Sequence, residues 1–316
     1  MKILVTATSF NPKNNTPALA RLSEFADEII FNPMGRPLTE DELIPLLADC
    51  DGYIAGLDFI TDKVLAACGK LKVISRYGVG VDRVDLEAAK ACGIKVCNTP
   101  GANLHAVADL AFSLILSVAR RIPTLDSKTR AGQWPRSMGT EVYGKTIGIL
   151  GLGSIGKAVA KRAQGFDMAV MAYDPYINEQ YTKDNNITAA SLDEVLRQAN
   201  IISLHLPYND ETKNILNREA MQTMKQGAII VNTARGGLID EAAAYELLES
   251  GHLGGLGLDV YEKEPPSQSP LFGLPNTVLL PHTASHTLEA VENMSNMSVQ
   301  NLIDVLSGKA CSYTVV

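Results

Sequence analysis

The sequence predicts an α/β protein built from two doubly wound parallel-sheet domains. Three observations lead there. Short apolar runs alternate with helical stretches from end to end. The 316 residues, 46% of them hydrophobic, suffice for about two domains with proper cores. A glycine-rich strand, turn and helix begin only at Thr146, which marks a domain inserted into another.

The first series of elements places strands at residues 3–6, 28–31, 52–55, 72–75 and 95–97, separated by helices that begin near Pro17, Thr39, Thr61 and Asp85. Thr39, followed by Glu40, Asp41 and Glu42, reads as an N-cap. A long helix over 104–121, with Ala108, Ala111, Phe112, Ile115 and Ala119 at helical spacing, bridges to the second series. That series runs from Thr146 through strands near 169–173, 201–204, 228–232, 255–259 and 278–280, with helices near 192–198, 218–224 and 241–249. A last helix over 288–306 is expected to return to the first domain. The expected division is 1–100 with 287–316, and 101–286 between them.

The formal charge of −7 gives no basic footprint for nucleic acid, and no Lys/Arg-rich block suits a membrane surface. No apolar run approaches the roughly 18 residues of a membrane span, and residues 3–5 are too short a run for a signal peptide. Cys50, Cys68, Cys92, Cys97 and Cys311 show no CxxC spacing, so neither a disulfide framework nor a metal site is expected. Reduced thiols suit a cytoplasmic protein acting on a small molecule.

Residues 147–150 suit a strand buried on both faces; Gly151, Gly153 and Gly156 follow, and 155–166 has helical periodicity. In this order they read as a dinucleotide-binding turn. Gly151 allows the tight turn, Gly153 lets the backbone approach a pyrophosphate, and Gly156 lets the helix pack close to the strand. Ser154 and Ile155 open the helix, whose unpaired amides and dipole favour an anion. Asp174 lies 18 residues beyond Gly156. That is near the roughly 20 expected of the acid that binds a ribose 2′-hydroxyl, so NAD is expected rather than NADP.

Ligands of open parallel sheets collect beyond the C-terminal strand ends. The run 228–231 leads to Asn232-Thr233-Ala234-Arg235-Gly236-Gly237, Leu258-Asp259-Val260 leads to Tyr261-Glu262-Lys263-Glu264-Pro265, and 278–280 leads to Pro281-His282-Thr283-Ala284-Ser285. Moving a hydride at a carbon bearing a hydroxyl also moves the hydroxyl proton, and histidine ionises near neutral pH, so His282 is the candidate acid/base. Glu264 is the candidate carboxylate that fixes its tautomer and stabilises its protonated form. Arg235 offers the planar, permanently charged, bidentate donor that a substrate carboxylate needs. Singly, each also reads as a structural histidine, an internally paired arginine or a loop glutamate. Three such groups at strand ends of one domain favour the joint reading. His205 ends the run 201–204 and is expected near the cofactor; His105 and His252 read as structural.

These segments, together with Ser75-Arg76-Tyr77-Gly78-Val79-Gly80-Val81-Asp82, Asn98-Thr99-Pro100-Gly101-Ala102-Asn103 and the glycine turn, resemble D-isomer-specific 2-hydroxyacid dehydrogenases of the D-3-phosphoglycerate dehydrogenase type over nearly the whole chain. The resemblance implies a Rossmann NAD-binding domain inserted into a flavodoxin-like substrate-binding domain, a hinge motion, and a homodimer joined through the NAD-binding domains. It implies Arg235, Glu264 and His282 as the catalytic set, in agreement with the roles read from the residues. It also implies that Asp174 holds the adenosine ribose, and that His205, Pro207, Thr233, Ala234, Asp259 and Ala284 line the cofactor pocket, Asp259 near the nicotinamide carboxamide. The backbone around Tyr77, Gly78, Val79 and Gly80 would receive the substrate carboxylate, since glycines let amides approach an anion.

Arg76 and Arg136 resemble the basic positions that phosphoglycerate dehydrogenases use for the substrate phosphate, and read equally as surface arginines. The first expectation is 3-phosphoglycerate oxidised to 3-phosphohydroxypyruvate, in serine biosynthesis. The alternative is a glyoxylate/hydroxypyruvate reductase or another D-2-hydroxyacid dehydrogenase. The sequence stops soon after residue 306, so the regulatory domain of many phosphoglycerate dehydrogenases, and feedback by serine through it, are not expected. A non-catalytic NAD-sensing protein is disfavoured by the intact Arg235, Glu264 and His282. Formate or phosphite oxidation is a further reading; formate dehydrogenases of this superfamily carry Gln where Glu264 stands, so that residue argues against it.

Overall fold

A computed structural model of the protein describes residues 1–10, 12–13 and 16–316. The chain forms two compact units, Met1–Asn103 with His286–Val316, and Leu104–Ser285.

The first unit alternates β1 (Lys2–Val5), α1 (Pro17–Phe25), β2 (Glu28–Phe31), α2 (Glu40–Leu47), β3 (Gly52–Ala55), α3 (Asp62–Ala66), β4 (Val73–Arg76), α4 (Leu86–Ala91) and β5 (Lys95–Cys97). Local chemistry sets the helix starts. Thr16 accepts from the Leu19 amide ahead of Pro17, the Glu42 carboxylate accepts from the Thr39 amide at 2.9 Å, and Asp85 accepts from the Ala88 amide. The five strands are parallel in the order β2-β1-β3-β4-β5. This is the flavodoxin-like order. Strands β3 and β4 are buried along their whole length. Short strands of this kind are apolar runs because helices cover both faces.

The second unit holds α5 (Leu104–Arg120), α6 (Ile122–Arg130), β6 (Thr146–Leu150), α7 (Ser154–Gln164), β7 (Ala169–Tyr173), α8 (Glu179–Asp184), β8 (Ile187–Ala189), α9 (Leu192–Gln198), β9 (Ile201–Leu204), α10 (Arg218–Gln222), β10 (Ala228–Asn232), α11 (Glu241–Glu249), β11 (Leu253–Leu258) and β12 (Thr277–Leu279). Its seven parallel strands run β12-β11-β10-β9-β6-β7-β8. The chain direction across the sheet reverses between β6 and β9, the place where crevices for ligands open in such sheets. Helix α5 buries nine side chains, as its apolar spacing predicts; it lies on β10 and β11 and belongs wholly to the second unit, whereas a bridge between the two series was expected.

The last helix, α12 (Leu288–Leu306), belongs to the first unit and packs on α1, β3 and β4, with the Ser75 hydroxyl donating to the Ser298 carbonyl at 2.8 Å. The tail beyond it pairs antiparallel with β5: the Val315 amide donates to Val96 O at 2.7 Å, and Cys97 faces Thr314.

Three elements were not expected. Helix α6 buries no residue and so has no apolar stripe to read. Helix α8 buries only Thr182, and β8 is a three-residue edge strand that buries only Ile187. Strand β4 also lies one residue later than expected, which puts Arg76 inside the sheet.

Candidate active site

Because all seven strands of the second unit are parallel, their C-terminal ends share one edge, and the sequence-predicted residues of that unit other than Arg136 follow those ends. The glycine turn leaves β6 with φ +99° at Gly151, whose amide donates to Tyr173 O at 2.8 Å; a Cβ there would lie 2.6 Å from the His205 carbonyl carbon. A Cβ on Gly156 would lie 2.1 Å from the Gly151 carbonyl oxygen, so α7 approaches the turn as closely as backbone permits. A Cβ on Gly153 meets nothing within 4 Å. Gly153 is also the N-cap of α7 and provides no side-chain cap, so the first amides of the helix, at Ser154 and Ile155, face the open side. The carboxylate of Asp174 accepts from the Leu152 amide at 2.7 Å and the Tyr176 amide at 2.8 Å, and thereby holds the turn as well as the end of β7.

His205 follows β9 and bonds the Ser203 hydroxyl through Nε2 at 2.8 Å; desolvation pushes its pKa down to about 3, which keeps the ring neutral. Pro207 is exposed and its carbonyl accepts from the Thr212 hydroxyl at 2.7 Å. Beyond β10, Asn232 shapes the loop: its Oδ1 accepts from the Ala234 amide at 2.9 Å and its Nδ2 donates to Arg235 O at 2.7 Å. Nη1 of Arg235 donates to Ala234 O at 2.7 Å. The buried Thr233 hydroxyl has no hydrogen-bond partner among the described residues, which is costly unless a ligand supplies one.

A Cβ on Gly236 would lie 1.8 Å from the Tyr261 carbonyl carbon, so the segment that carries Arg235 rests directly on the segment that leads to Glu264. Glu264 Oε1 accepts from the Tyr261 amide at 3.2 Å, and Oε2 bonds His282 Nδ1 at 2.8 Å. Both side chains are largely enclosed, 14% and 23% exposed respectively. His282 sits at φ 53° in the left-handed region. The loop behind it is pinned by the fully buried Asp259, whose two oxygens accept from the Thr283 amide at 2.7 Å and the Ala284 amide at 2.8 Å. Burial pushes the Asp259 pKa up, and those two amides oppose the rise.

Of the three candidate chemical residues, Glu264 and His282 are thus hydrogen-bonded, and Arg235 stands on the loop packed against the Glu264 segment. Sequence reasoning gave no role to Asn232 or to Glu241, whose Oε1 accepts from the Glu262 amide at 2.7 Å. A polar residue that closes an otherwise buried strand was the available signal for Asn232. Arg136 lies exposed in the segment after α6.

The first unit holds the other expected loop. Gly78, at φ +148°, follows β4, and the N–H groups of Gly78, Val79 and Gly80 donate to no acceptor among the described residues. Their carbonyls are all engaged: Gly78 O by the Thr99 amide at 3.0 Å, Val79 O by Asn98 Nδ2 at 2.8 Å, and Gly80 O by Arg76 Nε at 3.0 Å. Arg76 differs from expectation. It is buried, 4% exposed, and its Nη1 donates to Ala55 O at 2.6 Å, so it is not a surface arginine. Among the described residues no group of His, Cys, Asp and Glu is placed to hold a metal, and no helix is long and apolar enough to cross a membrane.

Residues 112–284, more than half of the chain, match the model of the D-isomer specific 2-hydroxyacid dehydrogenase, NAD binding domain. The chain is 41% identical over 272 residues to a D-3-phosphoglycerate dehydrogenase of Mycobacterium bovis, covering 85% of this chain and 52% of that enzyme. It is 40% identical over 281 residues to a glyoxylate reductase of Korarchaeum cryptofilum, covering 86% of this chain and 85% of that one. The chain therefore spans about half the length of the mycobacterial enzyme and most of the archaeal one. The crystal structure of the TT0316 protein from Thermus thermophilus superposes with a TM-score of 0.87 at 39% identity, over all of both chains. The glycine turn, the strand-end residues and these similarities agree: the chain belongs to the D-isomer-specific 2-hydroxyacid dehydrogenase family, and its Leu104–Ser285 unit carries the family's NAD-binding domain.

Proposed function

We propose that the protein is an NAD-dependent oxidoreductase that moves a hydride between its cofactor and C2 of a D-2-hydroxy acid. The observation that carries this reading is the Glu264–His282 hydrogen bond on the strand-end edge that also bears the dinucleotide turn. With Nδ1 engaged by Glu264, Nε2 is the nitrogen left for the substrate oxygen. In oxidation His282 takes the hydroxyl proton; in reduction it starts protonated and returns that proton, with Glu264 stabilising the imidazolium. Arg235 is the donor for the substrate's carboxylate and ketone oxygens.

Bound NAD supplies or receives the hydride. Its pyrophosphate fits Gly151, Gly153, Ser154, Ile155 and Gly156, where the open side of Gly153 and the uncapped helix start leave amides for an anion. Asp174 fits the ribose, and Pro207, Thr233, Ala234, Asp259 and Ala284 fit the nicotinamide end together with the neutral His205. The orphaned Thr233 hydroxyl supports that placement. The first unit takes the substrate carboxylate on the Tyr77, Gly78, Val79 and Gly80 backbone.

The sequence reading favours 3-phosphoglycerate, with a place in serine biosynthesis and a cytoplasmic location. One observation favours a second reading. Two of the three Arg76 nitrogens hold carbonyls of their own unit, which weakens its assignment to a phosphate and leaves Arg136 as the other phosphate candidate. A small unphosphorylated 2-keto acid, glyoxylate or hydroxypyruvate, then fits better. Steady-state assays with 3-phosphoglycerate, glycerate, lactate, glyoxylate and hydroxypyruvate, each run with the NAD and the NADP form of the cofactor, decide this. No kcat/KM advantage for the phosphorylated substrate ends the 3-phosphoglycerate reading, NADP preferred over NAD ends the Asp174 assignment, and no turnover of any 2-hydroxy or 2-keto acid ends the oxidoreductase reading.

The partner is a second copy of this chain joined through the NAD-binding unit. Supporting this, α6 buries nothing, and Ile122, Trp134, Met138 and Tyr143 are 50%, 82%, 92% and 67% exposed within one stretch of that unit. Apolar side chains grouped on a surface mark an interaction site. Light scattering is expected to give a dimer for the parent and a monomer for Trp134→Glu combined with Met138→Glu; a parent that stays monomeric rejects the assignment.

A further inference from the structure

We infer that Asn98 and Arg76 are positioning residues for the carboxylate-receiving loop, acting through its carbonyl oxygens rather than on substrate. The inference rests on the proposed function, in which the Gly78–Gly80 amides meet the substrate carboxylate. Three consecutive carbonyls of that loop are tied down from behind by three different donors: the Thr99 amide, Asn98 Nδ2 and Arg76 Nε. Each held C=O fixes the N–H of the following residue, which points the opposite way across the same peptide plane, so these three contacts orient the Val79, Gly80 and Val81 amides. Those N–H groups have no acceptor in the chain among the described residues, and Gly78 and Gly80 are partly exposed. Preorganised amides of this kind bind an anion without first reorienting. Gly78 supports the shape, since its φ of +148° disfavours any side chain and the nearest atom to an added Cβ is Arg76 Nη2 at 3.9 Å.

Asn98 is itself held on its other groups. Its amide donates to Tyr313 O at 3.2 Å, and its carbonyl accepts from Asn301 Nδ2, on α12, at 2.9 Å. The side-chain amide therefore reaches Val79 from a clamped backbone, and the loop's aim is set by β5, α12 and the C-terminal tail together. Arg76, at the end of β4, reaches the end of β3 with Nη1 on Ala55 O and the loop with Nε on Gly80 O. A lysine ammonium, one point donor, does not span both.

The test is Asn98→Asp, which keeps the shape and removes the donor, beside Asn98→Ala, with glyoxylate as the probe substrate. Both are expected to raise KM for glyoxylate about tenfold or more, the loss of roughly one charge-assisted hydrogen bond's alignment, with NADH affinity and the pH profile of kcat unchanged. Unchanged KM in both variants overturns the inference. So does a fall in kcat, NADH affinity and melting temperature together, which marks a general structural role. Titration of the parent and variants with oxalate, followed by the amide resonances of Gly78 and Gly80, reads the loop without turnover. Shifts that saturate in the parent and weaken in the variants support the clamp even if no keto acid is reduced, which separates its failure from failure of the oxidoreductase reading; equal shifts in parent and variants overturn it.

Discussion

A His282→Ala variant is expected to bind NADH as the parent does and to lose about 10²- to 10⁴-fold in kcat/KM, the range a positioned acid/base group contributes. Stopped-flow fluorescence for the cofactor and initial rates for turnover measure the two separately. The separation follows from geometry. His282 engages Glu264 and lies at the end of β12, whereas the amides fitted to the pyrophosphate belong to the turn after β6. Glu264→Gln extends the same argument: it replaces the anion beside Nδ1 with a neutral amide that stabilises the imidazolium less, so kcat/KM for reduction is expected to fall while NADH binding is kept. Retention of most turnover by His282→Ala assigns the proton transfer to another group.

Arg235→Ala is expected to cost about 10²- to 10³-fold in kcat/KM, corresponding to the roughly 2–5 kcal/mol of a truncated, desolvated charge pair. Arg235→Lys should recover only part of that, because an ammonium keeps the charge and loses the planar fork. The loop should survive either change. Its shape comes from Asn232, which bonds the Ala234 amide and the Arg235 carbonyl, and from Gly236 seated on Tyr261; neither depends on the guanidinium. Equal kcat/KM for the arginine and lysine forms removes bidentate recognition from the mechanism.

What was legible in the sequence divides along physical lines. Strand β10 was read with its observed ends because all five residues are buried and apolar up to a closing asparagine. The helices α5 and α12 were legible from long apolar stripes. Helix α6 was not, since a helix that buries none of its residues has no stripe. At the candidate site, residue type and strand-end position singled out Arg235, Glu264 and His282, of which the last two are hydrogen-bonded. The supports were hidden because their partners are remote in sequence: Asp259 binds amides 24 and 25 residues away, and Asn98 binds a carbonyl 19 residues away. Arg76 shows what a charge conceals: the sequence displays the guanidinium but not its burial or the Ala55 and Gly80 carbonyls that it meets, so the surface alternative stayed open.

The left-handed backbone of His282 ties the fate of this site to selection. A side chain with a Cβ gives up on the order of 1 kcal/mol or more at such a position, and glycine does not. A lineage or a screening campaign rewarded only for heat resistance has a one-step gain available there, and takes it by discarding the proposed acid/base. Variant libraries of this protein sorted by melting temperature alone should accordingly drift toward inert, sturdier forms, and a histidine that persists at 282 records that turnover was being selected.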